Sequence, residues 1–283
     1  MDIRQQLSTY LARIDMEMPL TVNPETLALI QFAHRTAIPF ENLNISIGRE
    51  IACGSDVVFA KMVNSRRGGF CFEHNRLLSD MLTAAGFANR ILLARVLLGD
   101  PAAPTPRTHC LVLVTFGEKQ WITDAGFGGS YAPPMRLCDG ERAETGDGAQ
   151  HRLTRIGDDG DLPGAWLLER RGPKLATDGR VQSDDVWEPQ YAFDLAQVAE
   201  ADLALGCYWS ATHESSRFTN LTVASICLPD GFASLVDRQL TVWRKGAGTD
   251  RRTLETPEAY GEALSQVFGI ALEAADIARL PLF

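Results

Sequence analysis

The sequence predicts an α+β protein in three consecutive parts: a helical first third, a β-rich middle and a mixed α/β closing section. Two observations carry this. Apolar residues recur at helical spacing up to about residue 86, then change to short β-rich runs separated by turn residues. The closing section holds both patterns. With 283 residues, 45% of them hydrophobic and 22% charged, the chain can bury a sizeable core and build more than one domain. The expected divisions are 1–86, 87–197 and 198–283.

In the first part, Ile3, Leu7, Tyr10, Leu11 and Ile14 mark a helix over Asp2 to Ile14. Asn23-Pro24-Glu25 reads as an N-cap, a first-turn proline and an acidic first turn, opening a helix through His34. A third helix covers Val57 to Val63. A fourth runs from Cys71 to Ala85 on a stripe of Phe72, Leu77, Leu78, Met81 and Leu82, with Gly86 as its stop. The strands of the middle part are RILLARVLLG, HCLVLVTFG, KQWITDAGFG, QHRLTRIG, AWLLERR and DVWEPQYAF, and DPAAPTPRT (Asp100 to Thr108) is a proline-rich loop. The last part holds the strands RFTNLTVASICL and ASLVDRQLTVWRKG and a closing helix from Thr256 to Leu272.

A net charge of −9 argues against a nucleic-acid face. The opening MDIRQQLSTYLARID lacks the apolar stretch of a signal peptide, and no apolar run approaches the ~18 residues of a membrane span. The expectation is a cytoplasmic protein, a monomer or homodimer, with no membrane or nucleic-acid partner. Its six cysteines are scattered without the spacing of a disulfide framework, so all six are expected as reduced thiols.

SRRGGFCFEHN places Cys71 in the first turn of a helix, directly after Gly-Gly-Phe. Unpaired N–H groups and the helix dipole there favour a thiolate, and the glycines permit a close approach by a substrate. Cys71 read alone is equally a small buried hydrophobe. A base must come from elsewhere. If Gly117-Glu118 is a two-residue hairpin turn, Phe116 faces Lys119 and Leu111 faces Asp124. His109 then lies one diagonal step from Asp124 on the same face, within side-chain reach. Cys71, His109 and Asp124 would form a nucleophile, base and orienting acid if the helix start packs on this hairpin. Against that stands the plain reading of a strand-end histidine and a turn-forming aspartate. His74 makes a Cys-x-x-His spacing but has no second Cys/His pair, so it reads as solvent-facing or helix-packing and no metal site is expected. The glycine loop GFGG (Gly126 to Gly129) is neither a P-loop nor a dinucleotide fingerprint.

RGGFCFEHN, THCLVLV and WITDAGFGG, in this order and spacing and together with IPFENLNI, resemble the arylamine N-acetyltransferases over roughly Tyr10 to Val236. The resemblance implies a helical bundle carrying the cysteine, a β-barrel-like domain carrying the histidine and aspartate, and an α/β lid, the first two forming a papain-like cysteine hydrolase core. It implies acetyl-CoA as cosubstrate, no metal or prosthetic group, and ping-pong transfer through an S-acetyl cysteine to arylamines, arylhydrazines or N-hydroxyarylamines. Cys71, His109 and Asp124 would be catalytic. Phe40, Val96, Phe127 and Phe218 would line the acceptor pocket, Thr108, Gly128 and Gly129 would lie near the CoA, and Arg67 with Glu41 would form a structural ion pair. The chain departs from the family at Cys207, Ala211 and Glu214, where Asn, Ser and Pro are usual, and at His74, where Gln or Leu is common. An amide synthase or a cysteine hydrolase would use the same triad. A binding module that makes no use of Cys71 is the reading from a different class.

Overall fold

The computed structural model describes residues 3–99 and 101–283. Asp2 and Asp100, assigned above to a helix and a loop, lie outside them. Helix α1 spans Ile3–Arg13 and α2 spans Pro24–Ala37, where the Asn23 side chain accepts the Thr26 N–H at 2.7 Å as the sequence predicts. A two-residue strand β1 (Phe40–Glu41) and a short helix α3 (Leu43–Ser46) follow. Helix α4 (Ser55–Phe59) runs into a π-helical turn at Ala60–Asn64, and α5 covers Cys71–Ala84. Leu7, Tyr10, Leu27, Met62 and Leu78 from these elements lie buried in one core.

The middle of the chain forms one antiparallel sheet of eight strands: β2 (Ala88–Val96), β3 (His109–Phe116), β4 (Lys119–Thr123), β5 (Met135–Arg136), β6 (Glu141–Glu144), β7 (Gln150–Arg155), β8 (Trp166–Arg171) and β9 (Glu188–Phe193). Its order is β5-β4-β3-β2-β9-β8-β7-β6. The two edge strands, β5 and β6, are consecutive in the chain, so the sheet curls until its edges nearly meet and becomes barrel-like. The β3–β4 hairpin has the expected register, with Phe116 opposite Lys119 and Val112 opposite Thr123.

Helices α6 (Glu200–Thr212) and α7 (Arg217–Asn220) lead to β10 (Val223–Leu228), β11 (Gly231–Val236), β12 (Gln239–Arg244) and β13 (Gly248–Thr253). Helix α8 (Pro257–Phe268) stops at Gly269, which takes the left-handed conformation at φ 65°, and α9 covers Ala274–Ile277. The second sheet has the order β1-β10-β11-β12-β13, so its first strand comes from the helical third of the chain. Two local readings are corrected. RFTNLTVASICL opens with α7 rather than strand, because the Ser216 hydroxyl accepts the Phe218 N–H at 3.2 Å and starts a turn of helix. Helix α6 escaped the apolar pattern because it buries Leu203, Cys207 and Ser210 yet leaves Leu205 and Tyr208 exposed, which blurs its stripe.

The expectation of six reduced cysteines is also corrected. Cys53 and Cys207 form a disulfide across a sequence separation of 154 residues, tying the segment before α4 to α6. Linear spacing carries no signal for such a pair, since only the fold makes the two neighbours. Cys71, Cys110, Cys138 and Cys227 are free. Thiol titration of denatured, unreduced protein should therefore count four free thiols, and six after reduction. Reduction should lower stability to urea by about 2–5 kcal/mol. Six thiols before reduction would contradict the bridge.

Candidate active site

Cys71 opens α5 because the chain before it is pressed into a tight corner. A Cβ on Gly68 would stand 2.1 Å from the Pro39 carbonyl oxygen, and one on Gly69 would stand 2.7 Å from Glu73 Oε2. The glycines thus admit neighbouring protein, not a substrate. Glu73 accepts the Phe70 N–H at 3.0 Å and pairs with Lys61 Nζ at 2.8 Å, which caps the helix start from within. The expected ion pair is present beside it: Arg67 Nη2 meets Glu41 Oε1 at 2.8 Å, both residues buried. Burial disfavours the Glu41 carboxylate, but Lys61 and Arg67 outweigh it and hold its pKa below the usual value.

His109 begins β3, and its Nε2 lies 2.7 Å from Asp124 Oδ2, just past the end of β4. Both are buried. Asn75, one turn after Cys71 on α5, donates from Nδ2 to Asp124 Oδ1 at 2.9 Å and to the Cys110 carbonyl at 2.6 Å. Its Oδ1 accepts the Ala125 N–H at 3.0 Å. The Gly126 N–H also donates to Asp124 Oδ1, at 2.8 Å. A side chain at Gly126 would strike Asn75 and the backbone of Cys71 at 2.7 Å, so glycine lets this loop lie on the first turn of α5. From α2, Gln31 donates to the Asp124 carbonyl at 3.0 Å and Arg35 to the Ala125 and Phe127 carbonyls at 3.1 and 3.2 Å. The loop is fixed from both sides.

Burial alone would raise the Asp124 pKa. The charge and hydrogen bond of His109, with the Asn75 and Gly126 donors, overcome it and keep the carboxylate ionised below its normal range. The Cys71 thiol is shifted the other way. Burial pushes it up, the Asp124 charge adds to this, and the N–H groups of Phe72 and Cys71 pull it only partly back. The helix-start effect expected from the sequence is present, but it does not outweigh burial and the Asp124 charge. A neighbouring imidazolium would favour the charged sulfur. At rest it donates to the Thr108 carbonyl at 3.5 Å.

Cys71 and His109 line one cavity of about 430 Å³. Phe40, Val96, Phe127 and Phe218 line it too, as do Thr108 and Gly128, whereas Gly129 is not among its lining residues. Gly129 instead packs against Leu98 and Arg180. Phe127 and Tyr191 flank the His109 ring with centroids at 5.2 and 5.0 Å, which limits its rotation. Sequence reasoning missed Tyr191, Asn75, Trp209, Arg180 and Arg217. Only Asn75 carried a readable signal, its i+4 spacing from Cys71 on one helix face.

His74 is fully buried, so the packing alternative for it is the correct one. Its Nε2 lies 3.0 Å from the Pro39 carbonyl, which can only accept, so Nε2 carries the proton and Nδ1 accepts from His34 Nε2 at 2.8 Å. His34 Nδ1 then accepts from the Tyr10 hydroxyl at 2.9 Å. One carbonyl thus fixes both tautomers. Burial lowers the His34 pKa to about 3 and His74 well below its ordinary value, in keeping with a neutral chain. The His74 ring also stacks on Phe40, with an interplanar angle of 3°, and so backs one wall of the cavity.

A buried cysteine, a buried histidine and the carboxylate that orients it, set between a helix start and a β-hairpin, are the groups that nucleophilic acyl-transfer chemistry requires. The N-acetyltransferase family model matches residues 23–277. The chain is 33% identical to the arylamine N-acetyltransferase of Escherichia coli K12, over 95% of this chain and 90% of that protein. It is 34% identical to the arylamine N-acetyltransferase / N-hydroxyarylamine O-acetyltransferase of Salmonella typhimurium, over 94% and 89%. The solved Salmonella typhimurium arylamine N-acetyltransferase superposes with a TM-score of 0.87 at 31% identity, covering 97% of both chains. The Mycobacterium marinum enzyme in complex with CoA gives 0.83 at 31% identity, over 97% of this chain and 98% of that one. The chain belongs to the arylamine N-acetyltransferase family. Among the described residues, no cluster of His, Cys, Asp or Glu is arranged to hold a metal ion, and no helix is long and apolar enough to cross a membrane.

The buried histidines set a pH dependence. His34 and His151 are neutral when folded, each with its pKa lowered by burial to about 3. The unfolded chain therefore binds the extra protons between pH 6.5 and 3, and stability is complete above that window and lost as pH falls through it. The slope should approach about 1.4 kcal/mol per pH unit for each histidine. Urea midpoints should fall clearly between pH 7 and pH 5, and an unchanged midpoint would contradict the neutral assignment.

Proposed function

We propose that the chain moves an acetyl group from acetyl-CoA to arylamines, arylhydrazines or N-hydroxyarylamines by a ping-pong reaction through S-acetyl-Cys71. One observation carries this reading: Asp124 holds His109 by Nε2, and His109 lines the same cavity as Cys71. In the first half-reaction the Cys71 proton passes to His109 as Sγ attacks the thioester carbonyl. The tetrahedral intermediate collapses by breaking the bond to the CoA sulfur, which leaves with the proton from His109. In the second, the amine attacks the S-acetyl carbonyl, gives its proton to His109, and Cys71 departs as the leaving group. The unpaired N–H groups of the first turn of α5 are the donors for the developing oxyanion.

The elevated thiol pKa suits this scheme, because charge forms on sulfur only as the imidazole takes the proton. Phe40, Val96, Phe127 and Phe218 give the cavity apolar walls that match a flat aryl ring. Thr108 and Gly128, which line the cavity, would lie beside the CoA arm. Gly129 keeps a weaker claim, as a position whose missing side chain makes room for Arg180. A cytoplasmic location and the divisions near residues 86 and 198 belong to the same proposal. The strongly acidic charge supports the first, and the separate core clusters of the barrel and the second sheet support the second.

Mass spectrometry after adding acetyl-CoA alone should find one added acetyl group, on the peptide carrying Cys71, with release of CoA. Cys71→Ser should abolish both. Acetyl transfer that survives in Cys71→Ser, or that needs the amine before CoA is released, would overturn the ping-pong reading. Asn75→Ala should lower kcat per folded molecule by about 10- to 100-fold with KM little changed, since it loosens Asp124 without touching substrate.

A further inference from the structure

Helix α6 lies against the first turn of α5. A Cβ on Gly206 would stand 2.5 Å from Cζ of Phe72, the residue after Cys71, and 3.3 Å from the Arg107 carbonyl oxygen. Trp209 and Ser210 of the same helix line the cavity that Cys71 shares with His109. The placement of α6 is therefore part of the shape of the site. Little besides one bond holds it there. Of its 13 residues only Leu203, Cys207 and Ser210 are buried, and two of those side chains are small. Arg76 Nη1 donates to Glu200 Oε1 at 3.1 Å, but that glutamate is 79% exposed, and such a pair contributes little. The Ser216 hydroxyl donates to the Ser210 carbonyl at 2.6 Å, which ties α6 only to the turn that follows it. The remaining tie is covalent, the bridge from Cys207 to Cys53.

The two sulfurs of this bridge differ in access. Cys53 is half-buried in a segment without regular structure, between the exposed Ala52 and Gly54. Cys207 is only 4% exposed. An incoming thiolate therefore meets Cys53. It bonds to Cys53 Sγ, the S–S bond breaks, and Cys207 Sγ leaves with the electron pair and takes a proton from water. The second thiol of a dithiol reductant then attacks its own partner sulfur in the mixed disulfide. Cys53 is released as a thiol, the reductant becomes a disulfide, and the protein has gained two electrons and two protons. In a reducing cytosol a bridge open to this exchange is a regulated bond rather than a permanent staple. A helix left with so few buried contacts opens locally.

We infer that Cys53–Cys207 is a redox-modification site, opened at Cys53 by a dithiol reductant, and that its reduction frees α6 and slows acetyl transfer. The slowing rests on the transfer proposed above; the opening of α6 does not.

The bridged protein is compared with protein reduced by tris(carboxyethyl)phosphine, the phosphine then removed, and with Cys53→Ala. Hydrogen–deuterium exchange should show a loss of protection in α6 that exceeds any loss in α5 by at least about tenfold, both in reduced wild type and in the variant. In the same two proteins kcat/KM for acetyl-CoA should fall about tenfold, and the phosphine should leave the variant unchanged. Brief exposure of bridged protein to reduced glutathione, quenched with N-ethylmaleimide, should leave glutathione on Cys53 and maleimide on Cys207. The reverse labelling would overturn entry at Cys53. Unchanged α6 protection after reduction, or equal losses in α5 and α6, would overturn the switch, the second by making the bridge a staple of the whole fold. Equal kcat/KM in bridged and reduced protein would overturn its control of transfer. Absence of transfer from every form would instead strike the proposed function, and the exchange of α6 would still decide the switch.

Discussion

The buried seam between α5 and the β3–β4 hairpin is the constraint on which the site depends. At its centre Asn75 binds the Cys110 carbonyl, the Asp124 carboxylate and the Ala125 N–H together. These contacts join the helix that carries Cys71 to the strand that begins with His109. Without them a helix start and a hairpin would be two unrelated elements with a cysteine and a histidine at their ends. An unsatisfied carboxylate buried here would be costly, so the partners of Asp124 serve stability and orientation at once. The same atoms that make the fold possible aim the imidazole.

Around that seam the molecule spends its buried polar groups on rigidity. Gln31 and Arg35 hold the carbonyls of the loop after β4, and Ser225 of β10 holds the Gly128 carbonyl at 2.8 Å. Tyr10, His34 and His74 run as a neutral chain to Pro39 behind Phe40. The cavity is thus walled by side chains backed by satisfied hydrogen bonds, which is what preorganisation for acyl transfer requires.

What could be read from the sequence was local. The N-cap at Asn23, the helix start at Cys71 and the register of the Gly117-Glu118 hairpin depend on neighbours in the chain, and the hairpin register already placed His109 beside Asp124. What could not be read was made by tertiary contact. Cys53 and Cys207 lie 154 residues apart. Tyr191, Arg180 and Arg217 enter the site from segments with no motif to announce them. The state of the thiol stayed open for a related reason: the helix-start effect is visible in sequence, but the burial and the Asp124 charge that outweigh it exist only once the chain has folded.

The central claim is that Cys71 gains its reactivity from an imidazole held by Asp124, not from its place on a helix. Cys138, free and exposed, is a built-in reference thiol. The decisive measurement is the rate of iodoacetamide alkylation at Cys71 relative to Cys138 at pH 7, in the wild-type chain and in Asp124→Asn. The account predicts that Cys71 outpaces Cys138 in wild type despite its burial, and that the substitution cuts this ratio by about a hundredfold. Equal ratios in the two proteins would contradict it.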